Sequence, residues 1–363
     1  MIQLQDNNDV QFCNTTNLDN ELQKNLEENE NNDENVTNEQ VHHNDVQLEE
    51  NENNNDMLNY IPSNIYDFRD RYETHFQEML QRGIIVEGNK AYVTGYTCDS
   101  DVVEIPEIIE VDASELGQAS NQKLQLPVIG IGENAFTNYI EPSKSDIKDY
   151  TVKPLGMSSI DKLSKVIMPD TIEFVLEGAF NNVGLKEVKI SNNMKILSSG
   201  AFASNSLRSI SLPDSLLSIG ISTFVNNQLE EVELPRNLKF IDNQAFAMNH
   251  LKTITVPSNI ATIESFAFSN NQLNEVILSE GLREIKEEAF AYNDIKTITI
   301  PSTVQNIESR SLYENPNLHT IVNKTRLGFD WYNICFGVES DENFSTGTIQ
   351  HWDGIHNVTI TSE

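Results

Sequence analysis

Leu229-Glu230-Glu231-Val232-Glu233-Leu234-Pro235-Arg236-Asn237-Leu238-Lys239-Phe240-Ile241-Asp242-Asn243-Gln244-Ala245-Phe246-Ala247-Met248-Asn249-His250 is the stretch from which the fold is read. Stepping by 22 residues in either direction from its Phe246 meets Phe180, Phe202, Phe224, Phe268 and Phe290 without a slip, and Leu312 continues the count. A fixed period of this length marks one supersecondary unit stacked on copies of itself, each touching only its neighbours. The sequence therefore predicts a solenoid, an architecture that offers long surfaces for binding.

Seven units begin at Leu163, Leu185, Leu207, Leu229, Leu251, Leu273 and Ile295, with the form Leu-x-x-Ile-x-Leu-Pro-x-x-Leu-x-x-Ile-x-x-x-Ala-Phe-x-x-Asn-x. The fourth and sixth positions alternate with polar neighbours, which is the period of a half-buried strand, and the following Pro ends it. One short strand per coil, stacked in parallel, is expected. The Phe column fills the core. The recurring Asn205, Asn227, Asn249, Asn271, Asn293 and Asn315 are expected to satisfy buried backbone groups of the returning turn that strand pairing leaves out.

Two interruptions break the period. The coil holding Val103, Ile105, Pro106 and Ile109 resumes only at Ile131 and Phe136, so 110–127 is an insertion; Phe136 to Phe180 spans two periods with no Leu-Pro strand between, so 137–160 is another. Insertions in a solenoid become surface loops, often on the binding face. Before the array, Ser63 or Asn64 can cap a helix whose Ile65, Phe68, Tyr72, Phe76, Met79 and Leu80 share a face and which Gly83 can end. Ile84-Ile85-Val86 and Ala91-Tyr92-Val93 then read as a β-hairpin. After Leu318 the period fails, and Phe329, Trp331, Tyr332, Phe336, Phe344 and Trp352 suit a segment covering the last apolar coil. The expected organisation is a disordered tail at 1–60, an N-terminal cap at 61–101, the solenoid at 102–317 and a C-terminal cap at 318–363.

Charge narrows the function. The formal charge is −32, and residues 1–60 hold 15 acidic side chains and 17 Asn against the single Lys24. Such a segment cannot bury enough apolar surface to offset the entropy of ordering it. Nucleic acid is not an expected partner, because phosphate binding runs on Lys and Arg clusters and no basic stripe is present. No run reaches the roughly 20 apolar residues of a membrane span, and the N-terminus has no secretory pattern. Membrane insertion is not expected, and the protein is placed in the cytoplasm or on a non-standard export route.

Chemistry-bearing patterns are weak. Cys13, Cys98 and Cys335 are far apart and lack metal or disulfide-framework spacing. His351 and His356 sit five residues apart, on opposite faces of a strand pair, and Asp99-Ser100-Asp101 is a common turn composition. No nucleophile elbow or phosphate loop occurs. No enzymatic activity, cofactor or metal is expected.

The motif, with Pro after the strand and Ala-Phe in the return, resembles the bacterial BspA-like subfamily of leucine-rich repeats over about residues 85–322. The resemblance implies a right-handed leucine-rich-repeat horseshoe with one short parallel strand per 22-residue coil. It also implies adhesion or protein-recognition roles, often at a cell surface, and supplies no catalytic residues.

A protein ligand is the expected partner, with self-association as a scaffold the alternative. Two places could bind. On the strand face, side chains at the third and fifth repeat positions project outward, among them Glu187, Lys189, Glu231 and Glu233. Aromatic and Arg anchors are missing there, whereas the 137–160 insertion carries Tyr139, Lys144, Lys148, Tyr150 and Lys153. These could meet an acidic partner that the rest of the surface repels.

Overall fold

In the computed structural model the described residues are 84–87, 89–93, 95, 101–116, 122–136, 163–338, 343, 345–350 and 357–362. The tail at 1–60, the helix expected before Gly83 and the insertion at 137–160 lie outside them. Within the described residues the chain is a leucine-rich-repeat solenoid of short, mostly parallel strands.

The first ladder follows the alternating positions. Val102–Glu104, Lys165–Ile167 and Glu187–Lys189 pair in parallel, Thr253–Val256 pairs with Glu275–Leu278, and Thr297–Ile300 pairs with Thr320–Asn323. Between them the ladder narrows to a single bridge from Ser209 to Glu231. Side chains alternate as the pattern requires: Val188 is buried and Glu187 and Lys189 are exposed.

The structure adds a second strand to each coil. Phe174–Val175, Ile196–Leu197, Ser218–Ile219 and Phe240–Ile241 form one parallel ladder, and Thr262–Ile263, Glu284–Ile285 and Asn306–Ile307 form another. Only two residues long, these strands bury one apolar side chain each, or both in Phe174–Val175, so they leave no alternation for a sequence pattern to reveal.

The return is laddered too. The backbone N–H groups of Gln244, Phe246 and Met248 donate to the carbonyls of Ser265, Ala267 and Ser269 in the next coil, at 3.1, 2.9 and 3.0 Å. Where both ladders run, each coil thus bonds to the next on three sides; the second ladder is interrupted between Phe240–Ile241 and Thr262–Ile263, where the return ladder continues.

Two irregular regions depart from the sequence expectation. The 110–127 insertion is no surface loop where it is described: Ile108–Asp112 pairs antiparallel with the first half of Lys123–Ile131, and Val111, Ala113 and Leu126 are buried. Val111 and Leu126 place apolar groups on one face of that hairpin, which packs onto the core. Past Leu318 the first ladder continues, with Thr320 opposite Thr297 at a spacing of one residue more than the repeat. Asn357–Thr361 then pairs in parallel with Thr320–Asn323, and Gly347–Gln350 pairs antiparallel with Asn357–Thr361.

Helix α1 (Trp331–Phe336) lies on the last coil. Asp330 caps it by accepting from the Asn333 N–H, and Gly337 ends it in a left-handed conformation. Its carbonyls replace a further coil: Arg310 N–H donates to Asn333 and Leu312 N–H to Ile334, both at 3.1 Å. Trp331, Ile334 and Cys335 are buried against the array.

The core is one continuous stack. Phe180 to Phe290 are fully buried, with ring centroids 5.3 to 5.6 Å apart. Phe136 stacks directly on Phe180 at 4.6 Å, so no coil intervenes between those rings. At the head of the stack, Ile84–Glu87 and Lys90–Val93 form an antiparallel hairpin, and Lys90–Val93 runs parallel to Lys123–Ile131.

Candidate functional site

Every buried polar side chain among the described residues is Ser, Thr or Asn. The Asn column serves the backbone. Asn249 Oδ1 accepts from Leu229 N–H at 3.0 Å, while its Nδ2 lies 2.9, 3.1 and 3.2 Å from the carbonyls of Phe224, Phe246 and Ala247. The pattern repeats at Asn205, Asn227, Asn271, Asn293 and Asn315. A second Asn column stands two residues after the Pro slot, held by Ser191, Pro235 and Pro257, where Asn193, Asn237 and Asn259 donate to the carbonyls of Asp170, Asp214 and Arg236. Both columns thus spend side-chain amide groups on the backbone of a neighbouring coil. Among the described residues no three His, Cys, Asp or Glu side chains gather in a metal-holding group. The one described cysteine, Cys335, is a buried free thiol, and burial pushes its pKa well up.

The candidate surfaces are therefore exposed ones. Glu187, Lys189, Glu231 and Glu233 all stand on the outer side of the first ladder and are exposed. They are not one cluster: Glu187 is paired across the ladder to Lys165, and Glu231 lies two coils further on, beside Ser209. Tyr139, Lys144, Lys148, Tyr150 and Lys153 lie outside the described residues. Towards the C-terminus the outer side loses its charge. Thr297, Thr320, Thr359 and Thr348 stand in register across four adjacent strands.

Charge collects beside the second ladder. Lys286 lies 2.8 Å from Glu284 and 2.9 Å from Glu308, and these hydrogen bonds hold its pKa above the usual lysine range. One coil back, burial raises the Glu264 carboxyl, with Asp242 adding to the shift.

A further surface lies on the return and was not foreseen. Each regular coil places two residues in the left-handed region, two before and two after the core Phe. The earlier column runs Gly178, Gly200, Ser222, Gln244, Phe266, Glu288 and Arg310; the later runs Asn182, Ser204, Asn226, Met248, Asn270, Tyr292 and Glu314. Gly and Asn enter this region at least strain. Their recurrence at these two positions is the signal in the sequence that would have located the turns. Met248 and Tyr292 are 55% and 43% exposed. The Tyr292 and Tyr313 rings meet edge to face, 5.6 Å apart at 88°, and the Arg310 guanidinium lies 5.8 Å from the Tyr313 ring.

These features define a leucine-rich-repeat solenoid whose interior is structural and whose chemistry is on its surface. A model of six BspA type leucine-rich repeats matches in three overlapping stretches, residues 97–208, 157–273 and 196–319, and the chain belongs to that family. Solved structures with similarity include a leucine-rich cell surface protein from Faecalibacterium prausnitzii, at 20% identity and a TM-score of 0.42. The match covers 76% of this chain and 58% of that one, so this chain spans little more than half its length. A leucine-rich repeat protein from Bacteroides ovatus matches at 19% identity and a TM-score of 0.37, over 66% of this chain and 68% of that one. The pneumococcal vaccine antigen PcpA matches at 17% identity and a TM-score of 0.39, over 67% and 80% of the respective chains. No curated protein matches this sequence. No helix among the described residues is long and apolar enough to cross a membrane.

Proposed function

We propose that this protein is a non-enzymatic protein-binding module of the adhesion type. One observation carries the reading: no described Asp, Glu, His, Lys or Arg is buried, so every described ionisable group of these types is turned to solvent or the half-buried surface. Catalytic sites gather buried, perturbed ionisable groups in a cleft, whereas a repeat array holds an extended surface rigid for a partner. The favoured binding segment is the 137–160 insertion, with Tyr139, Lys144, Lys148, Tyr150 and Lys153; the strand-face residues Glu187, Lys189, Glu231 and Glu233 are the alternative place. The test is affinity capture from source-organism and host lysates by the full chain and by a variant with 137–160 shortened to a regular turn. Specific capture by the full chain and loss with the variant, at equal melting temperature, supports the reading. Capture of nothing by either protein counts against it.

A second reading, self-association into a scaffold, is favoured by the uncharged row of Thr297, Thr320, Thr359 and Thr348. On a chain of charge −32 this is a patch where two copies could pack without repulsion. Light scattering across a concentration series distinguishes it: a mass that grows with concentration supports self-association.

A further inference from the structure

We propose that the return ridge carrying Met248, Tyr292, Tyr313 and Arg310 is a docking surface for a cationic segment of a partner protein. This rests on the protein-binding reading above and gives it a second site and a partner chemistry.

The backbone supplies the first argument. A non-glycine residue in the left-handed region carries steric strain, and Asn or Gly relieves most of it. Of the fourteen left-handed positions in the two columns only Gly178, Gly200, Asn182, Asn226 and Asn270 carry Gly or Asn; Ser204, Ser222, Gln244 and Glu288 hold polar residues, and Met248, Phe266, Tyr292, Arg310 and Glu314 concentrate large side chains in the later coils, with φ between 50° and 59°. Met248 and Tyr292 are 55% and 43% exposed, so neither is buried in the core in return for the strain. Folding alone would favour Asn at both positions, as at Asn270 between them. Strain held at an exposed site points to a use for the side chain.

Composition and order supply the second. Tyr, Arg and Met are enriched at protein interfaces, and the outer strand face has no aromatic residue among the third and fifth positions of its seven coils. The ridge is also arranged in advance. The Tyr292 and Tyr313 rings brace each other edge to face, and Arg310 lies over Tyr313 with its guanidinium 3.7 Å from Glu288. Tyr313 also hydrogen-bonds Glu314, which raises the phenol pKa. A surface already ordered loses little entropy on binding.

Charge sets the partner. The two coils from 273 to 316 carry eight acidic side chains and four basic ones. Glu314 hydrogen-bonds Tyr313, Asp294 follows Tyr292 by two residues in the chain, and Glu288 holds the Arg310 charge. Electron-rich ring faces beside carboxylates attract Lys and Arg, and the field of the whole chain steers cations inward.

The test uses the full-length protein and a Met248→Asn, Tyr292→Asn double variant, which places at both sites the residue found at Asn182, Asn226 and Asn270. The probe is a fluorescein-labelled nonapeptide of alternating Arg and Leu, at physiological salt, with its Glu-Leu counterpart as control. Fluorescence anisotropy should show binding of the Arg peptide alone, weakened at least tenfold in the variant. The melting temperature of the variant should be unchanged or higher, because strain has been removed. The acidic residues 1–60 are common to both proteins, so the difference reads the ridge alone. Equal affinity for the two proteins, or equal binding of the Glu peptide, overturns the proposal. If wild type binds neither peptide while a captured partner still requires 137–160, the ridge proposal falls and the protein-binding reading stands.

Discussion

The side-chain amide of Asn249 lies 2.9 Å from the main-chain carbonyl of Phe224, 25 residues earlier. That bond crosses from one coil to the one below, at the point where the return bends away from both strand ladders. The same side chain accepts the Leu229 N–H, so one residue satisfies a donor and several acceptors in a place closed to water.

Asn249→Ala is therefore expected to destabilise the fold by about 2–4 kcal/mol, since each buried group left unpaired costs roughly 1–3 kcal/mol. Asn249→Asp should be worse near neutral pH, because a carboxylate would face the carbonyls of Phe224, Phe246 and Ala247. Lowering the pH should restore part of its loss. Chemical denaturation of the two variants at two pH values checks both statements. Equal midpoints for Ala and Asp at neutral pH would show that water reaches this side chain.

Phe246 lies between Phe224 and Phe268 with centroids 5.4 and 5.6 Å away. Its replacement by Ala opens a cavity in the middle of a continuous stack and should cost about 3–5 kcal/mol. The spread of the loss is also informative. In a one-dimensional array the damaged coil touches only its neighbours, so hydrogen exchange should quicken most around 224–268 and least near α1. A denaturation midpoint that hardly moves would refute the packing argument.

How far these features could be read in advance depends on side-chain period. Phe246, Val232 and Asn249 recur every 22 residues, so solenoid, first ladder and core were legible from them alone. Phe240–Ile241 was not, because a two-residue strand has no alternation to detect. Met248 and Tyr292 were invisible for a different reason: strain depends on φ, and nothing in their chemistry announces a left-handed backbone. Only the Gly and Asn residues in the same columns of other coils hint at it. The hairpin that sets Val111 opposite Leu124 and Ile109 opposite Leu126 was hidden because pairing partners across an insertion follow no repeat. Glu187, Lys189, Glu231 and Glu233 were placed correctly as outward-facing, since alternation fixes that geometry directly.

Ser311 occupies the repeat position where Ala179, Ala201, Ala245, Ala267 and Ala289 stand, and its buried hydroxyl has no hydrogen-bond partner. A buried hydroxyl without a partner costs about 1–3 kcal/mol. Ser311→Ala is expected to raise stability by roughly 1 kcal/mol, as a higher denaturation midpoint with an unchanged slope. Thr223, at the same position, differs in having the Ser198 and Gly220 carbonyls within reach at 3.0 and 2.8 Å. Thr223→Ala should therefore be destabilising, and the opposite signs of the two variants are the measurement that matters.

Glu264 gives a pH-dependent prediction. Its carboxyl is held above the ordinary value of 4.5, first by burial, then by Asp242, with Glu284 and Glu308 adding to the shift and Lys286 opposing it. The native state therefore holds this proton more tightly than the unfolded state. The corresponding stability is fully present below pH 4.5 and is lost as pH rises through the raised native value. Asp170 runs the other way: hydrogen bonds from Asn192 lower its pKa, so its contribution is present above the unfolded value and disappears as pH falls. Glu264→Gln removes the ionisation while keeping shape and one carbonyl acceptor. Its melting temperature should match wild type near pH 4 and exceed it near pH 7. Thermal melts of both proteins across that range test the sign. A difference that stays constant with pH would show no net shift at Glu264, and a wild type more stable than the variant near pH 7 but not near pH 4 would show that Lys286 rather than burial governs it.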